Sequence, residues 1–159
     1  MKKQLHCDEL APTNTPVPER APLFVVVADE NRIFRAELVG ELRVRGCLVV
    51  EACDGAQLLE RLARALDGES PWPEVVVLNQ HLRYLSGLNL LSLLWELPEQ
   101  PATLLLTTLE DHAIDSAAAR FSASRVFHEP IVLDELVEAV MASASGKQAA
   151  RSAQLAGPP

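Results

Sequence analysis

Short apolar runs alternate with helical stripes from residue 23 to residue 144. Leu23 to Ala28 is a β-branched-rich run, and Phe34, Leu38 and Leu42 follow at the i, i+4, i+8 spacing of one helix face, ending near Gly46. Leu48 to Ala52 predicts a second strand. Leu58, Leu59, Leu62 and Leu66 mark a second helix, closed by Gly68 and the breaker Ser70-Pro71-Trp72-Pro73. Val75 to Leu78 is apolar at every position, as suits a parallel strand covered on both faces. A third helix is expected from about Gly87 to Leu97 and a fourth strand from Thr103 to Thr107. Ala113, Ile114, Ala117, Ala118 and Phe121 outline a fourth helix, Arg125 to Phe127 a brief fifth strand, and Leu133 to Ala144 the last helix.

Five strand-then-helix units in about 125 residues predict an α/β fold, a doubly wound (βα)5 parallel sheet with helices on both faces, since right-handed crossovers permit little else. Ligands of such sheets bind beyond the carboxyl ends of the strands. Those ends carry Asp29 and Glu30, Asn79, Thr107 with Thr108, and His128-Glu129-Pro130. Residues 1–21, with Pro12, Pro16 and Pro18 and no apolar period, predict a flexible leader. Residues 22–144 form the expected domain, and 145–159 a flexible tail or the stub of a linker.

The composition narrows the function classes. A hydrophobic fraction of 48% supports a core in a chain of 159 residues, but only 4% is aromatic, so Leu, Val and Ala must build it. A net charge of −8 argues against direct binding of nucleic acid, whose phosphates need clustered Lys and Arg. No apolar run reaches the roughly 18 to 20 residues of a membrane span. The basic start Met1-Lys2-Lys3 lacks the apolar core of a signal peptide, which predicts a cytoplasmic protein. Cys7, Cys47 and Cys53 are widely spaced, as free thiols are, without the pairing of a zinc site.

Asp29 and Glu30 admit two readings: an acidic N-cap for the first helix, or oxygen ligands for a hard divalent cation. His6, His81, His112 and His128 show no ligand spacing, and His81 and His128 read as solvated loop residues at the pocket rim. Trp72, between two prolines, is expected to cap the core beneath a loop. Trp95 is either core or part of an exposed interaction surface.

The ordered set of segments resembles the response-regulator receiver domain, the CheY-like family, over Leu23 to Ser143. Val26-Val27-Ala28-Asp29-Glu30-Asn31 is similar to its first strand and acidic pair, and Val50-Glu51-Ala52-Cys53-Asp54-Gly55 to its second strand and turn. Ser86-Gly87-Leu88-Asn89-Leu90-Leu91 resembles the loop and helix after the phosphorylation site, Leu105-Leu106-Thr107 the fourth strand with its hydroxyl residue, and Glu129-Pro130-Ile131 the Lys-Pro-Phe motif. The resemblance implies a flavodoxin-like strand order 2-1-3-4-5 and a cis bond before Pro130. In the family, the acidic pair and the strand-three aspartate hold magnesium, and that aspartate attacks the phosphoryl donor. A strand-four Ser or Thr and a strand-five lysine grip the transferred group, which redistributes the face of the fourth helix, fifth strand and fifth helix. Asp29, Glu30 and Thr107 carry over.

Two positions do not. The nucleophile position is Asn79, a neutral carboxamide that forms no comparable acyl phosphate. Its neighbour is Gln80 rather than Gly, so deamidation to Asp is expected to be slow. The lysine position is Glu129. Unit charges 4 Å apart interact by roughly 4 kcal/mol at an effective dielectric of 20, so reversing one is costly. Three acids and a lysine carry −2, whereas Asp29, Glu30 and Glu129 beside a neutral Asn79 carry −3. Glu129 must turn into solvent, take up a proton or share a cation, and the first is expected. Val126 replaces the aromatic switch residue, and Thr108 stands where the family prefers a small residue.

These departures predict a pseudo-receiver of a two-component or related phosphorelay. It is expected to be no enzyme, to need no cofactor beyond magnesium at Asp29 and Glu30, and to act through a signalling partner on the fourth helix, fifth strand and fifth helix, or through a homodimer. A second class is a module binding a cation or small cationic ligand at Asp29, Glu30 and Glu129. A third, an enzyme on the flavodoxin-like scaffold, lacks a GxSxG elbow, a P-loop and a glycine-rich cradle after the first strand.

Overall fold

The alternating apolar pattern of each strand decides where its helices pack. In the computed structural model, which describes residues 21–108 and 112–155 (the last ten by backbone alone), the order is strictly alternating. Strands β1 (Phe24–Ala28), β2 (Leu48–Ala52), β3 (Val75–Asn79), β4 (Ala102–Thr107) and β5 (Arg125–His128) are each followed by a helix. The helices are α1 (Arg32–Val44), α2 (Gly55–Leu66), α3 (Gly87–Trp95), α4 (His112–Arg120) and α5 (Leu133–Leu155). All pairings are parallel and the sheet order is β2-β1-β3-β4-β5, the expected 2-1-3-4-5 arrangement.

Side chains alternate across a strand. Val25, Val27, Val75, Val77, Leu104 and Leu106 therefore face α1 and α5, where they meet Leu38, Leu42, Leu136 and Val140. Val26, Ala28, Val76, Leu78 and Leu105 face the other way, against Leu58 and Leu62 of α2, Leu90, Leu91 and Leu94 of α3, and Ile114 and Ala118 of α4. Every residue of β3 and β4 is buried, which explains the apolar runs Val75-Val76-Val77-Leu78 and Leu104-Leu105-Leu106 within them. Trp72 packs half-buried against the second cluster, as a cap does, while Trp95 stays 41% exposed.

Two expectations need correction. The last helix does not stop at Ala144 but continues to Leu155. The added segment is rich in Ala, Gln, Lys and Arg, strong helix formers, with no proline before Pro158. The acidic pair is also not the cap of α1. Asn31 is, its side-chain oxygen accepting from the amides of Ile33 and Phe34 at 3.1 and 3.2 Å. The expected leader, residues 1–21, lies outside the described residues apart from its last position, Ala21.

Candidate functional site

Parallel register brings the strand ends to one edge. Ala28 pairs with Ala52 and Leu78, Asn79 with Leu106, and Thr107 with His128. Asp29, Asn79 and Glu129 line one cleft there, with Asn31, Phe34, Pro130 and Ile131. Asn31 caps α1 in place of Asp29, so the Asp29 carboxylate turns inward, and it is 2% exposed. Gly87 makes room: the main chain of α3 passes so near Asn79 and Gln80 that a Cβ would stand 2.7 Å from the Asn79 carbonyl oxygen.

Hydrogen bonds hold the Asp29 and Asn79 side chains in the cleft. Asn79 Nδ2 donates to Asp29 Oδ2 at 2.8 Å, and the Asn31 amide donates to Asp29 Oδ1 at 2.7 Å. Asn79 Oδ1 accepts from the His81 amide at 2.8 Å. The carboxamide is thus held at both ends, with its N–H side fixed toward Asp29; a carboxylate at position 79 has no N–H to offer. Glu30 leaves the cleft: its Oε1 accepts from the Arg83 amide and lies 3.6 Å from Arg83 Nε. Arg35 Nη1 donates 2.6 Å to the Asp29 carbonyl while its Nε binds Glu51 at 3.0 Å.

Glu129 is exposed, the solvent-turned position expected for a charge-reversed residue, and the bond before Pro130 is cis. Thr107 is fully buried at the end of β4, and its carbonyl accepts from the Glu129 amide at 2.8 Å. Thr108 is exposed, its Oγ1 3.0 Å from His81 Nε2. Val126 is half-buried against the α2–α4 cluster. Of the two rim histidines, His81 is an exposed loop residue as expected, its Nε2 near Thr108, whereas His128 is not: it is the last residue of β5, half-buried, with Nε2 3.0 Å from Asp115 Oδ1 on α4.

Sequence reasoning missed Arg83. It sits in the loop after β3 with no periodicity to mark it, and only the folded chain sets it against Glu30, 53 residues away.

A divalent magnesium site asks for near-octahedral oxygens with several free lone pairs. Here both Asp29 oxygens take N–H donors, Asn79 Oδ1 is turned to the His81 amide, and Glu30 is engaged by Arg83. Among the described residues no group of three or more His, Cys, Asp and Glu side chains is placed to hold a metal. The residues as arranged do not fit the ion. No described helix is long and apolar enough to cross a membrane.

Comparison with curated proteins finds no match to the chain. Among solved structures, the receiver domain of the response regulator NarL from Mycobacterium tuberculosis is 28% identical, with a TM-score of 0.67 over 80% of this chain and 99% of that one. A Burkholderia pseudomallei response regulator, solved with a phosphorylated aspartic acid, calcium and citrate, is 26% identical, with a TM-score of 0.63 over 82% and 74%. The receiver domain of the Francisella response regulator 1452 shares the fold at 20% identity, with a TM-score of 0.69 over 78% and 98%. The response regulator receiver domain model matches residues 25–141. A (βα)5 sheet of order 2-1-3-4-5, with its acidic residue and hydroxyl at the expected strand ends, agrees with that match, and the chain belongs to the receiver domain family of two-component response regulators.

Proposed function

We propose that this receiver domain signals through protein–protein contact without being phosphorylated at position 79. The observation that carries the reading is the Asn79 carboxamide, bound at both ends where the family has its nucleophile. A carboxamide oxygen fixed by one N–H, beside a nitrogen whose lone pair is delocalised, offers no nucleophile for phosphorus. Glu129 supports the same reading, because a carboxylate repels the phosphoryl oxygens that a lysine would stabilise. Val126 adds to it: with no ring to swing between buried and exposed positions, the aromatic arm of the switch is missing.

The domain then acts as a fixed surface, neither an enzyme nor a phosphate-operated switch. The face formed by α4, β5 and α5 offers a partner or a second copy its contact, and the His128–Asp115 pair ties β5 to α4 there. The phosphorylated aspartate of the Burkholderia neighbour marks what Asn79 cannot supply.

The test is phosphorylation by a small phosphodonor with magnesium, read by intact mass. The natural chain and Asn79→Asp alone are expected to take up no phosphoryl group, while Asn79→Asp with Glu129→Lys takes up one. Stable incorporation into the natural chain at this pocket overturns the reading.

A further inference from the structure

The poor fit of the cleft to a metal has a counterpart in the donors that fill it. In the family a divalent cation joins the acidic pair to the aspartate at the end of the third strand. Here protein N–H groups stand against the same two carboxylates. Asn79 Nδ2 occupies Asp29 Oδ2 at 2.8 Å, deep in the cleft where the two side chains are 9% and 2% exposed. At the mouth, Arg83 presents both its amide and its guanidinium to Glu30. The Arg83 carbonyl in turn accepts from the Gly55 amide at 3.1 Å, so one residue joins the loops after β1, β2 and β3.

We infer that the pocket satisfies its own carboxylates: the neutral Asn79 N–H on Asp29 and the amide and guanidinium of Arg83 on Glu30 take the place of the divalent cation and latch the three loops in one arrangement with no metal bound. Because Asn79 serves both ideas, the inference rests on the reading of this position as one that is not phosphorylated.

The two arms differ in strength. The Arg83 side chain is 69% exposed, and an ion pair so open to water contributes little. The Arg83 amide is the firmer anchor, since a charge-assisted hydrogen bond to a backbone N–H survives salt better than a flexible ion pair. The Asn79 arm is the stronger one, because an Asp there removes the Asn79 N–H from Asp29 Oδ2 and sets two carboxylates face to face.

Thermal unfolding in EDTA and in millimolar magnesium, with no phosphodonor, tests the latch. The natural chain is expected to melt within about 1 °C of the same temperature in both. Asn79→Asp is expected to melt lower in EDTA and to recover by at least about 3 °C in magnesium, as a ligand that binds only the folded state does. Hydrogen exchange supplies a readout that needs no unstable variant. The Arg83 amide should be protected in EDTA, indifferent to magnesium, and exposed in Glu30→Ala. Free exchange of that amide in the natural chain overturns the inference, as does stabilisation of the natural chain by magnesium to the extent seen in Asn79→Asp. Magnesium stabilisation without phosphoryl uptake would remove the latch and leave the functional reading standing; phosphoryl uptake would remove the functional reading itself.

Discussion

Gly87→Ala probes how tightly the floor of the pocket is built. A Cβ at Gly87 would lie 2.7 Å from the Asn79 carbonyl oxygen, 2.8 Å from Gln80 Cα and 2.8 Å from Leu105 Cδ1. Carbon contacts are comfortable at about 3.5–4.0 Å, so each neighbour must retreat by roughly 0.7 Å or more. Leu105 can turn its side chain; the other two atoms belong to the main chain that carries Asn79 and cannot. Overpacking of this kind costs about 1–3 kcal/mol. With two of the three contacts on main chain, the upper part of that range applies, about 2–3 kcal/mol. Alanine recovers about 0.4–1 kcal/mol by narrowing the unfolded ensemble, which leaves a net loss of about 1–2.6 kcal/mol. For a domain of this size that lowers Tm by roughly 3–8 °C. Gly40, in the exposed middle of α1 with nothing within 4 Å of its would-be Cβ, is the control, and Gly40→Ala should stabilise by up to about 1 kcal/mol. Urea titrations followed by circular dichroism measure both, with m unchanged. If Gly87→Ala is as stable as the natural chain while Gly40→Ala shows its gain, the close approach of α3 to Asn79 is not the constraint described.

Two further outcomes are expected. Burial pushes the Cys47 thiol up, and its Sγ lies 3.5 Å from Met141 Sδ, whereas Cys53 is only half-buried. A maleimide at mildly alkaline pH should therefore label Cys53 at least about tenfold faster than Cys47, as resolved by peptide mass spectrometry. The native state holds the Cys47 proton more tightly than the unfolded chain does. Its contribution to stability is thus complete below the ordinary thiol range and lost as pH rises above it, and Cys47→Ala should flatten that alkaline loss. Trp72 Nε1 is buried with no partner among the described residues. Trp72→Phe sheds an unsatisfied donor worth about 1–3 kcal/mol against a similar loss of packing, so a urea titration should find it within about 1 kcal/mol of the natural chain; a larger loss would show that the indole N–H is satisfied.

The strands and helices were legible because their physics is local. Val75-Val76-Val77-Leu78, β-branched and short between breakers, reads as a strand covered on both faces, and the spacing of Leu58, Leu62 and Leu66 marks one side of a helix. Helix ends were less legible. The polar Ala- and Gln-rich run after Ser145 lacks the apolar stripe that signals packing, yet α5 continues through it on backbone propensity. The cap of α1 fell on Asn31 and not on the acidic pair, a choice made by which side chain can reach the free amides of the first turn.

The pocket divides the same way. Asn79, Glu129, Thr107 and Thr108 could be placed at strand ends from sequence, since a parallel sheet brings those ends to one edge. What each side chain does there needed the fold. The amide of Asn79 on Asp29, the escape of Glu30 to Arg83 and the reach of His81 to Thr108 join residues 27 to 53 positions apart. The chemical identities along the chain determined that the phosphate site is altered. Only tertiary structure decided how the remaining carboxylates are satisfied, because hydrogen-bond partners distant in sequence are chosen by the register of the sheet and the path of its loops.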